Sequence, residues 1–187
     1  MDLPQGLPAH WLVVAWLVRV LHEWVTRRGW LVLGSEAKLA VGKARGRKPD
    51  VSVYRKTALP GLSDAVIRVA PHVVVEVTSH RARDVRRDRV EKLRDYAACA
   101  ARYYWILDPA SRTLEVLELA ENGRYVHTLS AGGDAVARVP GCPGLRLTLD
   151  ALWAEVDSKS ERTPFRHHGR RRRGGARRPA RGRAAPR

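Results

Sequence analysis

Cysteine is scarce in this chain of 187 residues. There are two, Cys99 and Cys142, and they form neither a C-x-x-C pair nor any other metal-ligand spacing. That argues against a disulfide framework and makes a reducing cytoplasm the simpler setting. Long apolar runs are lacking too. The run at residues 11–18 (WLVVAWLV) stops at Arg19, short of the roughly 20 residues a membrane span needs. The N-terminus carries Asp2 and no basic stretch, and no small-residue cleavage site follows the run. Neither a signal peptide nor a membrane partner is expected. Acidic residues are outnumbered, 19 against 35 Lys and Arg, for a net charge of +16. Lysine itself is rare: arginine supplies 29 of those 35 cations.

The positive charge is uneven. Residues 158–187 hold 12 Lys and Arg with a single acid, whereas residues 1–157 hold 23 basic and 18 acidic residues. The terminal stretch RHHGRRRRGGARRPARGRAAPR has almost no large apolar residue. It cannot bury a core and is expected to be a disordered basic tail. Arg, Ala, Gly and Pro all use GC-rich codons, so compositional drift is one source of such a tail. Its charge would still attract a polyanion, nucleic acid first. Residues 1–157 suffice for one domain with its own core.

Within that domain, residues 9–28 read as an amphipathic helix. Val13, Trp16, Val20 and Trp24 recur at helical spacing, Arg19, Glu23 and Thr26 share a polar face, and Gly29 is a stop. Trp30 to Val41 looks extended, residues 42–48 (GKARGRK) form a basic turn, and Asp50 to Tyr54 is a short strand. After a loop over 56–70 comes a valine-rich strand, His72 to Thr78, apolar enough to be central in a sheet. Residues 84–101 read as a second helix with Asp88, Lys92 and Tyr96 four apart on one face. Tyr103 to Leu107 is a buried strand. Strands at 113–119 and 124–129 are joined through Glu121-Asn122-Gly123, a hairpin signal. Residues 149–156 suit a last short helix. This order predicts an α/β domain with a mixed central sheet flanked by helices.

Two acids stand out. Asp50 opens one strand, and Glu76 interrupts the run Val73 to Val77. A carboxylate inside a buried strand is costly unless it is paired or metal-bound. If the two strands pair with these ends together, both carboxylates can reach one hard divalent cation. A salt bridge from Glu76 to one of the many arginines is the alternative. Lys92 follows on the helix, where it can address a phosphate or a water, or form an i,i+4 pair with Asp88 on a solvated face. Basic residues flank both acids: Lys43, Arg45, Arg47 and Lys48 before Asp50, and Arg81, Arg83, Arg86 and Arg87 after Glu76. They suggest a basic rim. Glu23, His22 and Glu36 are weaker candidates on polar faces. The tryptophans at 11, 16, 24 and 30 read as core rather than as platforms for bases.

The segments GRKPDVSVY, PHVVVEVTS, DRVEKLRDY and YYWILDP, in this order, resemble the Uma-two-type restriction endonucleases of the PD-(D/E)XK nuclease superfamily, over roughly residues 10–130. The resemblance implies a restriction-endonuclease-like core and a metal-dependent endonuclease acting on DNA. It makes Asp50 and Glu76 ligands of Mg²⁺, with Mn²⁺ as a substitute. The superfamily's usual lysine lies two residues after the glutamate, where this chain has Thr78. The Uma-two group carries its lysine on the following helix, which maps onto Lys92, with Asp88 and Tyr96 in the same D-x-x-x-K-x-x-x-Y run. His80 stands where many relatives have proline, and Ala100-Ala101-Arg102-Tyr103 replaces the frequent G-V-x-E. The catalytic set implied is Asp50, Glu76 and Lys92. A homodimer is common among enzymes that cut both strands. The alternative is a catalytically inactive nuclease-fold protein that binds nucleic acid.

Overall fold

A computed structural model describes residues 7–61, 65–78 and 87–160. The expected disordered tail lies outside the described residues from 161 onward. So do Arg81, Arg83 and Arg86 of the expected rim, and the side chains of Arg87 and Asp88.

Helix α1 spans Leu7–Thr26. Its buried stripe runs through Val13, Leu17, Leu21 and Val25, flanked by Val14, Trp16 and Trp24. Val20, read from the sequence as part of that stripe, is only half-buried. The helix ends at Thr26, two residues before the expected end, and Gly29 takes a left-handed conformation (φ 63°) that turns the chain back toward the sheet.

The sheet has six strands: β1 (Leu31–Gly34), β4 (Val51–Tyr54), β5 (Val73–Val77), β6 (Tyr103–Asp108), β7 (Thr113–Leu119) and β8 (Tyr125–Gly132), in that spatial order. Only β5 and β6 run parallel, so the sheet is mixed. Between β1 and β4, β2 (Leu39–Ala40) and β3 (Gly46–Arg47) form a small hairpin across the basic turn. Two further short strands, β9 (Ala135–Val136) and β10 (Leu147–Thr148), pair with each other. Helix α3 follows, Leu149–Ser160, and runs four residues past the expected end.

Alternation along the central strands divides the core. Val51, Val53, Val73, Val75, Val77, Trp105 and Leu107 face α1 and α3. Tyr54, Val74, Tyr104 and Ile106 face the other way, against Tyr96 and the β2–β3 region. Five strictly buried residues in β5 explain why that strand reads as continuous valine.

The second helix is not regular. Arg87–Lys92 is π-helical and runs into a short α-helix, α2, Leu93–Ala98. The expectation of one helix over 84–101 is therefore corrected. The i→i+5 hydrogen bonding of a π segment is rare overall but frequent at functional sites. Beyond α2 the chain turns through Ala100 at φ 58°, the left-handed region that costs a non-glycine residue about 1–2 kcal/mol. Substituting Ala100→Gly is expected to raise stability by about 1 kcal/mol and the thermal midpoint by about 2–4 °C, as followed by circular dichroism on melting.

Candidate active site

The site forms at the end of β5 where β4 begins. The β4–β5 register pairs Val51 with Val75 and Ser52 with Val74. Carried one residue further, it sets Asp50 opposite Glu76, and residues so placed have Cβ atoms about 4.5–5.5 Å apart on one face. Asp50 is mostly buried, with its side chain 15% exposed. Its Oδ2 accepts a 2.7 Å hydrogen bond from the Val77 amide, beside Glu76. Its Oδ1 lies 3.3 Å from Nε2 of His10, in the first turns of α1.

Glu76 is 2% exposed. Lys92 Nζ is 2.7 Å from its Oε2, and the Tyr96 hydroxyl donates to its Oε1. Burial pushes the Glu76 carboxyl up to about 7, opposing Lys92, which pulls it down, and assisted by the Asp50 charge, which pushes it further up. The hydrogen bond to Asp50 holds the His10 imidazole above its ordinary value, against the opposing effect of its own burial. Burial, and then the Glu76 charge, raise the Tyr96 hydroxyl as well, so Tyr96 remains a proton donor to Glu76.

Ion pairs to Arg89 and to Asp95 tie the Lys92 segment to its neighbours. Arg89 binds Glu115 of β7 through both terminal nitrogens, at 2.9 and 2.5 Å. From the other side, Arg47 Nε reaches Asp95 at 2.7 Å and Arg45 reaches the same carboxylate at 3.1 Å. Of the expected basic rim, Lys43 is exposed, while Arg45 and Arg47 are engaged with Asp95 and Glu91, and Lys48 with Glu36. These cations position the helix more than they present free charge to a ligand.

Asp50, Glu76 and Lys92 are thus brought together. Sequence reasoning missed His10 because it looked for a polar contribution from Glu23 or His22, further along α1. Both are exposed, and Glu23 lines a cleft at the far end of the helix. The available signal was phase: His10 stands in line with Val13, Val14 and Leu17, at the head of the buried stripe. Tyr96 was noted as part of a motif, but its contact with Glu76 becomes visible only in three dimensions. Thr78, in the usual lysine slot, is 4% exposed, and its Oγ1 has no hydrogen-bond partner among the described residues. Nor do those residues contain a group of three or more His, Cys, Asp and Glu suited to a metal. No described helix is long and apolar enough to cross a membrane.

The fold is thus a mixed sheet with an acid at the head of one strand, an acid near the end of its neighbour and a lysine on the next helix. A family profile described as Uma2, putative restriction endonuclease, matches residues 3–150, and the chain belongs to that family. Its fold is similar to the crystal structure of a putative nuclease belonging to DUF820 from Anabaena variabilis ATCC 29413, with a TM-score of 0.63 and 19% sequence identity over 83% of this chain and 84% of that one. No curated protein matches the chain.

Proposed function

We propose that the chain is a Mg²⁺-dependent endonuclease hydrolysing phosphodiester bonds of DNA. The observation that carries this reading is the meeting of Asp50 and Glu76 across β4 and β5 with Lys92 on Glu76. The donor set suits a hard cation. Mg²⁺ is commonly held by one or two carboxylates, with waters and phosphate oxygens completing its shell, so two acids suffice without a third protein ligand. Each carboxylate oxygen is engaged by a single described partner, which leaves it a lone pair for a metal. The unpartnered Thr78 hydroxyl, on the Glu76 face by strand alternation, supports a polar occupant.

Asp50 and Glu76 would hold the ion. When bound, Mg²⁺ (or Mn²⁺) polarises the phosphate and acidifies a water. The protein's own part is positional and electrostatic. The Val77 amide and His10 orient Asp50, while Tyr96 orients Glu76. Lys92 stands where it can orient the attacking water or neutralise charge growing on the phosphate.

Supercoiled plasmid incubated with Mg²⁺ should be nicked or linearised by the wild type. Excess chelator should abolish the cutting, and Asp50→Ala should lower it at least 10²-fold. Cutting that survives both treatments would overturn the reading. DNA binding without cleavage under any divalent metal would instead favour a nuclease-fold protein that binds but does not cut.

A further inference from the structure

At the end of α1 opposite His10, a second polar feature is built. A cleft of about 630 Å³ opens between the last turns of the helix and the segment 143–146, lined by Arg27, Arg28, Arg146, Trp24 and one acid, Glu23. Arg28 is fixed in it. Its Nη1 donates to the Trp24 carbonyl at 2.8 Å, its Nη2 to the Pro143 carbonyl at 2.7 Å, and its guanidinium lies 4.6 Å from the Trp24 ring centroid. Its charge has no carboxylate partner among the described residues. Arg27 and Arg146 are exposed and likewise form no ion pair among them. This contrasts with Arg45 and Arg47 near the site, which acids already engage.

Three guanidinium groups without an ion pair among the described residues, against the single Glu23, leave the cleft positive and suited to an anion, and the spacing along α1 suggests which kind. From His10 to its last residue, Thr26, α1 rises through 16 positions, about 24 Å, and Arg27 and Arg28 stand just beyond its end. That is about 7 steps of a nucleic-acid strand. A small anion could fill the cleft but could not link it to the site, whereas a polynucleotide is long enough to reach both.

We propose that this cleft binds the phosphate backbone of a polynucleotide whose reacting segment lies at the Asp50–Glu76 end, so that the protein favours substrates longer than about 7 nucleotides. The proposal rests on the nuclease reading for the identity of the polyanion. The phosphate contact itself does not require cleavage.

The test is fluorescence-anisotropy binding of the full chain to labelled DNA duplexes of about 6 and about 24 base pairs, in chelator, over a range of salt. Arg27→Glu and Arg146→Glu are made singly and together. Arg124→Glu, exposed at the turn before β8, controls for the same change in net charge. The Arg-rich terminus is common to every variant. For the 24-mer, each single cleft substitution should flatten the log affinity versus log salt slope by about 1, and the pair by about 2. The pair should also weaken binding at least tenfold and remove most of the advantage of the 24-mer over the 6-mer. Arg124→Glu should do neither. Asp50→Ala should retain the cleft-dependent binding while losing cleavage, which separates failure of this proposal from failure of the nuclease reading. Cleft variants that match Arg124→Glu, a length advantage that persists without the two arginines, or a wild type that binds no DNA at low salt would overturn it.

Discussion

Glu76→Gln is expected to lower Mg²⁺-dependent cleavage by at least about 10³-fold while leaving the chain folded. The substitution keeps the shape of a residue that is 2% exposed, and it keeps an acceptor for the Tyr96 hydroxyl. It removes one of the two charges that would hold the ion. Folding should survive because burial, which pushes the Glu76 carboxyl up to about 7, already disfavours its charged form. The same shift fixes the sign of the pH dependence. An ion competes with the proton for this carboxylate, so cleavage at limiting Mg²⁺ should fall by up to tenfold per unit as pH drops below about 7, and level off above it. Initial rates from pH 5.5 to 8.5 at fixed ionic strength, with circular dichroism of the variant, check both statements. A Glu76→Gln enzyme with near wild-type rates would remove Glu76 from the site.

Lys92→Met should be nearly as damaging, at about 10²–10⁴-fold, and the pH profile tells its two roles apart. Lys92 is the strongest influence drawing the Glu76 carboxyl down against the effect of burial. Its loss lets Glu76 rise further, so at pH 7 fewer molecules can bind the ion. If that were its whole contribution, raising the pH to 9 would restore the rate. A cation that also acts on water or phosphate in the transition state is not replaced by higher pH. Most of the loss in kcat should therefore persist at pH 9 and at saturating Mg²⁺. Full recovery under those conditions would make Lys92 a positioning residue for Glu76 alone.

Both results turn on a contact that the sequence presented as an open choice. Glu76 could be read as a metal ligand or as a salt-bridge partner of an arginine. In the fold its partner is a lysine, held 2.7 Å away. The pairing and the metal reading are compatible, because a carboxylate oxygen with one donor keeps a second lone pair. The expected rim of arginines fared differently: Arg45 and Arg47 pair with Asp95, whereas three arginines around the cleft at the other end of α1 have no ion pair among the described residues. Charge in sequence says that cations are present, but not which of them acids from distant segments have already neutralised.

What the sequence by itself determined is local in origin. The valine run of β5 demanded a strand buried on both faces, Glu76 could not sit in it without a partner, Gly29 had to end α1, and Asn122-Gly123 had to turn the β7–β8 hairpin. Each follows from side-chain period, desolvation or permitted backbone angles, which a few neighbouring residues settle. The tertiary structure alone decided the strand register that sets Asp50 opposite Glu76, the arrival of His10 from a helix 40 positions away, and the docking of the Lys92–Tyr96 face onto the Glu76 carboxylate. Those contacts join residues far apart in the chain, and their geometry is fixed only once the two faces of the sheet have packed.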